Sequence, residues 1–93
     1  MTTPRHIGKR TTPAAFKRAL GRVVSARRKT IGVSQAEVAA RCRAYKATVA
    51  HIEGGSLAPS LGMLVLLAEA LNVEPWVLLK EAQELMEVDS GNA

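Results

Sequence analysis

Cysteine is almost absent from this sequence. Cys42 is the only one, so no disulfide can form within the chain and a reducing compartment is expected. Aromatic residues are nearly as scarce: Phe16, Tyr45 and Trp76 are the whole set, so any core must be aliphatic. Strand-length alternation of β-branched or aromatic residues with polar ones is missing, which argues against a sheet. The longest apolar stretch, around Leu61–Ala68, falls far short of the roughly 20 residues that span a bilayer. The basic opening MTTPRHIGKRTT lacks the apolar core of a signal peptide, so the expected location is the cytoplasm, with no membrane partner. The late carboxylates have no nucleophile or base beside them, so no enzyme is expected. His6 and His51 lack further ligands at metal-binding spacing, so neither a metal nor a cofactor is expected.

Acids are also nearly missing from the first half. Residues 1–52 carry twelve Lys or Arg against one acid, Glu37, whereas residues 53–93 carry Lys80 alone against seven acids. A basic front and an acidic back suit a polyanion-binding face opposite a face with another task.

What the chain does contain is Ala, Leu, Val, Glu and Arg in abundance, and the expected fold class is all-α. Its 93 residues make one small domain, expected over 12–87 between a flexible basic arm (1–11) and a disordered tail (88–93). Five helices are expected. Thr12-Pro13 starts the first, which runs to about Lys29 with Phe16, Leu20, Val23 and Ala26 on one face. Ser34 and Glu37 form a capping box that opens the second, which buries Val38, Ala39 and Cys42. The third, short, runs from about Lys46 to Glu53, where Gly54-Gly55 stops it. The fourth, Leu61 to Leu71, is apolar on nearly all sides and is expected to lie centrally. Pro75 opens the fifth, which reaches about Met86. Cys42 occupies an inward position, so it is read as core packing and not as a redox switch.

Two short helices joined by a tight turn, followed by an aliphatic scaffold, spell a helix-turn-helix. Its second helix must be rooted by one face and free on the other. Val49 and Ile52 supply the roots and leave Lys46, Ala47, Ala50 and His51 outward. Lys46 and His51 can donate to guanine acceptors, and the alanine methyls can touch thymine methyls.

Residues 20–79 resemble the lambda-repressor-like (Cro/XRE) helix-turn-helix family. The resemblance is carried by Leu20-Gly21-Arg22-Val23, Arg28, Gly32-Val33-Ser34-Gln35, Val38-Ala39, Thr48 through Gly55, Pro59-Ser60-Leu61, Leu64, Leu67-Ala68, Ala70 through Val73, and Leu78-Leu79, in one gapless register. It implies a compact five-helix domain that binds double-stranded DNA and regulates transcription. It further implies that Gln35 and Thr48 hold phosphates, that Lys46, Ala47, Ala50 and His51 read bases, and that Arg28 pairs with Glu53. Tyr45 and Arg43, beside these positions, are expected to contact phosphates as well. Arg43 stands where the family prefers glycine, at a cost of about 1 kcal/mol if its backbone is left-handed. Tyr45 stands where the family caps the recognition helix with Ser or Thr, and Gly55–Ser60 lacks the basic residues of many relatives.

The fifth helix carries more apolar residues than one core can use. Leu78, Ala82 and Leu85 are expected inward, leaving Trp76, Leu79 and Met86 outward, with Leu66 and Met63 adding to the excess. Such a patch points to a twofold dimer, so the expected function is repression by a homodimer on a pseudo-palindromic site, with no small-molecule effector. The alternative is an antitoxin-like module whose fifth helix covers a partner protein, with DNA binding secondary.

Overall fold

A computed structural model describes residues 12–91, with side chains through Val88. The expected basic arm, including His6, lies outside the described residues. Five helices follow in order: α1 (Pro13–Thr30), α2 (Gln35–Cys42), α3 (Lys46–Glu53), α4 (Leu61–Ala70) and α5 (Pro75–Gly91).

Local chemistry accounts for each start. The Thr12 hydroxyl accepts from Ala15 N at 3.0 Å, with Pro13 in the first turn. Ser34 and Glu37 complete the capping box, with bonds of 2.9 and 3.0 Å. Ser60 accepts from Met63 N at 3.1 Å and opens α4. α3 starts differently: Tyr45 precedes it in extended backbone and makes no side-chain cap.

The ends share one device. At α1 through α4 the chain passes through a left-handed residue, respectively Gly32, Arg43, Gly55 and Asn72. The amide after each reaches back five residues: Val33 to Arg28 O, Ala44 to Ala39 O, Ser56 to His51 O and Val73 to Ala68 O. These are Schellman ends, which satisfy carbonyls the helix leaves open. Glycine takes this conformation freely, and Asn tolerates it. Arg43, at φ 55°, does not, and bears the cost of about 1 kcal/mol.

α1 lies against both α5 and α3, α2 against α3 and α4, and α4 against α5. Ala19, Leu20, Val23, Val24, Val38, Val49, Ile52, Leu64, Leu67, Leu71, Leu78 and Ala82 fill the space between them. Phe16 packs at the edge of this core and is only half-buried. Ala26, expected inward, is exposed, because α1 is clasped from two sides and its buried stripe centres on Leu20, Val23 and Val24. Arg27 clamps α1 to α5 through both carboxylate oxygens of Glu81, Nε bonding Oε1 at 3.0 Å.

Two expectations about the last helices need correction. α4 is not covered all round: Leu61 is 77% exposed, and Val65 and Leu66 are exposed too. In α5, Met86 joins Leu78 and Ala82 in the core rather than facing outward with Trp76 and Leu79, while Leu85 is only half-buried. The buried row is thus i, i+4, i+8. Such rows run obliquely around a helix, so the angle at which α5 crosses α1 selects one row over the next. α5 also continues to Gly91, through part of the expected tail. Among the described residues no single helix is long and apolar enough to cross a membrane.

Gly21 is where α1 and α3 meet backbone to backbone. A Cβ there would lie 2.3 Å from the Ile52 carbonyl oxygen and 2.7 Å from that of Glu53. Gly21→Ala is therefore expected to destabilise the fold by roughly 1–3 kcal/mol in urea denaturation. Gly62→Ala serves as the control. That site is exposed, the nearest atom to an added Cβ is Ser60 Oγ at 4.0 Å, and the helix should gain up to about 1 kcal/mol. Equal effects of the two substitutions would disprove the close crossing.

Candidate nucleic-acid interface

α3 is built as a rooted helix with one free side. Val49 and Ile52 are fully buried, and they leave Lys46, Ala47 and His51 exposed and Ala50 half-buried. Lys46 with Ala50, and Ala47 with His51, are spaced four apart, so the four side chains form two adjacent rows on one face. Tyr45, at the tip of the helix, is 82% exposed. Thr48 is half-buried, and Arg43 is exposed in the turn before α3.

The far end of α3 is held by a polar junction. Glu53 receives Arg28 Nε at 2.6 Å and Arg28 Nη2 at 3.0 Å, while Arg28 Nη1 bonds the Val33 carbonyl at 2.9 Å. One arginine thus ties α1, the loop after it and α3 together. Gln35 Nε2 also donates to Glu53, at 3.0 Å, and Ser25 adds a further bond. Burial alone would raise the Glu53 pKa, but the bonds from Arg28, Gln35 and Ser25 outweigh it and hold the carboxyl below its ordinary range. The Glu53 side chain is only 6% exposed, so this charge is compensated within the protein.

Gln35 consequently differs from the sequence expectation in detail. Its side chain is not free at the surface, since one amide hydrogen is committed to Glu53 and the other remains to donate outward. The capping box occupies the amides of Ser34 and Glu37 and leaves those of Gln35 and Ala36 at the start of α2, where an anion is favoured. Sequence reasoning missed three further contacts. Ser25 reaches Glu53, Arg41 Nη1 bonds the Ala70 carbonyl at 2.8 Å, and Ser56 Oγ sits 3.3 Å from His51 Nδ1. No spacing rule links these pairs, although Gly54-Gly55 does mark the reversal that brings Ser56 back over α3.

Cys42 is buried, and burial pushes its thiol up, away from the reactive thiolate. Among the described residues no group of His, Cys, Asp and Glu could hold a metal ion.

A family model for a helix-turn-helix domain matches residues 19–81, from within α1 to within α5. Among solved structures the chain is similar to the clp gene regulator ClgR from Corynebacterium glutamicum, with TM-score 0.79 at 25% identity over 83% of this chain and 82% of that one. A second crystal structure of that regulator gives 0.73 at 27% identity, over 76% and 91%. The restriction-modification controller protein C.AhdI from Aeromonas hydrophila gives 0.67 at 30% identity, over 69% of this chain and 97% of that one. No curated protein matches by sequence.

The junction makes a thermodynamic prediction. Arg28→Ala or Glu53→Ala alone strands a largely buried charge and should cost about 3 kcal/mol or more. The double replacement should cost less than the sum by over about 0.5 kcal/mol, and an additive cycle would disprove the coupling. The pH dependence has a definite sign. A carboxyl lowered by folding stabilises fully above its unfolded value of about 4.3, and that contribution fades as pH falls below it. Denaturation curves across acid pH should therefore show Glu53→Gln losing less stability on acidification than the parent.

Proposed function

The chain belongs to the helix-turn-helix domain family, as a DNA-binding transcriptional regulator of the Cro/XRE type, and on that premise we propose that it acts as a homodimeric repressor of a pseudo-palindromic site. The observation that carries the DNA assignment is the free face of α3. Lys46, Ala47, Ala50 and His51 stand outward on a helix whose other face and far end are locked. Lys46 and His51 read base edges in the major groove, and the two alanines contact thymine methyls. The α2 amides with Gln35, together with Thr48, Tyr45 and Arg43, hold phosphates and set the register.

The dimer assignment rests on apolar surface that the single chain leaves open. Trp76 is 61% exposed, Leu79 and Leu66 are exposed, and Met63 is half-buried one turn from Leu66 on α4. Leu61 and Val65 enlarge the uncovered area, whereas Met86, being buried, takes no part. Twofold packing of this surface removes it from water and fixes two copies of α3 relative to each other, roughly 34 Å apart for successive major grooves. Repression follows from occupancy of such a site, which excludes other proteins from the DNA it covers. The names of two similar proteins, a gene regulator and a restriction-modification controller, support a role in gene control.

Selection of bound sequences from a random duplex pool tests the reading, and a pseudo-palindrome is the expected product. Affinity for it should fall steeply with salt, by a slope of about −0.9 per phosphate neutralised. Gln35→Ala should weaken binding to all duplexes alike, whereas Lys46→Ala should relax preference at one base pair by roughly 1–3 kcal/mol. An unchanged site with Lys46→Ala would mean that α3 is not the reading element.

The oligomer has its own test. Trp76→Glu combined with Leu79→Glu should give a folded monomer by sedimentation, with weak nonspecific binding and no palindrome preference. A variant that still sediments as a dimer would place the interface elsewhere.

A further inference from the structure

The base-facing histidine has a neighbour that the resemblance does not supply. We propose that Ser56 is a positioning residue for specificity: it holds His51 in the neutral tautomer that carries its proton on Nε2, and aims that N–H at an acceptor on a base edge. The proposal rests on the reading of α3 as the recognition helix.

Counting protons and lone pairs supplies the argument. Ser56 Oγ lies 3.2 Å from the His51 carbonyl oxygen and 3.3 Å from His51 Nδ1, and it has one hydrogen to give. The carbonyl already accepts two amides, Ser56 N at 3.0 Å and Leu57 N at 3.2 Å. These fill its two lone pairs, and amide hydrogens cannot turn elsewhere. The hydroxyl hydrogen can rotate, and the Nδ1 lone pair is the acceptor left for it. A ring that accepts at Nδ1 and is neutral must carry its proton on Nε2. Pinning Nδ1 toward Ser56 leaves Nε2, on the opposite side of the ring, as the nitrogen free to donate.

The hydroxyl is well placed for such a task because its backbone is not free to wander. Gly55, at φ 81°, is buried against Arg18, with an added Cβ only 3.0 Å from Arg18 Cγ. The Schellman bond from Ser56 N then fixes the next residue over the last turn of α3.

The tautomer decides what His51 can read. A neutral Nε2–H is one donor, which matches guanine O6 and N7, adenine N7 and thymine O4. Cytosine offers only its N4 amino donor in the major groove. His51 therefore acts by rejecting cytosine at its base, and it does so without needing to be charged.

Two measurements on the full chain test this. Nitrogen-15 imidazole spectra of the free protein, taken on the alkaline side of the ring titration seen in the same spectra, report the tautomer directly. His6→Gln identifies the His51 signals. The expected result is a single Nε2–H form that becomes a mixture in Ser56→Ala and returns in Ser56→Thr. A wild-type Nδ1–H form, or a Ser56→Ala spectrum identical to wild type, would overturn the assignment. Binding to duplexes varied at the base pair whose preference His51→Ala erases gives the second readout. Ser56→Ala should lower discrimination against cytosine roughly tenfold while leaving nonspecific affinity unchanged, and Ser56→Thr should restore it. Lost stability with discrimination intact would reduce Ser56 to a helix cap and sink the proposal. If His51→Ala erases no base preference, the recognition-helix reading fails and the proposal with it. The spectra then show whether the Ser56 tautomer assignment fails as well.

Discussion

The Glu53 carboxylate is the point on which three helices agree. It ends α3, draws in Arg28 and Ser25 from α1, and takes Gln35 from the start of α2. A buried carboxylate without these donors would be costly, so the arrangement is close to all-or-none. It works together with the contact at Gly21, where α1 presses against the carbonyls of Ile52 and Glu53. Direct backbone contact sets the distance between α1 and α3, and the charge sets their registration.

The consequence for α3 is an asymmetry along its length. Its C-terminal end is fixed by Glu53, by Gly21 and by the turn through Gly55, whereas its N-terminal end begins at Tyr45 with no side-chain cap. The end that carries Lys46 and Ala47 is the less constrained one. Open amides there favour an anion. Arg43 adds to the same picture. A left-handed arginine is an unfavourable way to end α2, yet it leaves a cation exposed beside the start of α3. An unfavourable backbone conformation beside a candidate binding surface is a familiar exchange of stability for function.

The back of the molecule follows a different logic. α5 carries half of the acids, and one of them, Glu81, holds Arg27 of the basic half. α4 and α5 also expose Leu61, Leu66, Trp76 and Leu79. The two faces are thus divided by chemistry: cations and open amides around α2 and α3, aliphatic and indole surface on α4 and α5. Dividing them lets one small domain bind a polyanion without placing its acidic helix against it.

Much of this was legible in the residues. Thr12-Pro13, the Ser34–Glu37 box, Gly54-Gly55 and Pro75 mark helix ends by local chemistry that needs no tertiary partner, so those boundaries could be read directly. Val49 and Ile52 as the roots of α3 follow from its brevity and its outward charges. The Arg28–Glu53 pair was visible only through family resemblance, because residues 25 apart share no local periodicity. Orientation was decided by tertiary structure. Periodicity spread the apolar residues of α5 over half its circumference, and only the angle at which α5 crosses α1 put Met86 inside and left Leu79 at the surface. The same holds for Ala26 and for the uncovered side of α4. A sequence specifies helices through neighbours three and four residues away, whereas which face is buried depends on elements that the chain brings back from far along its length.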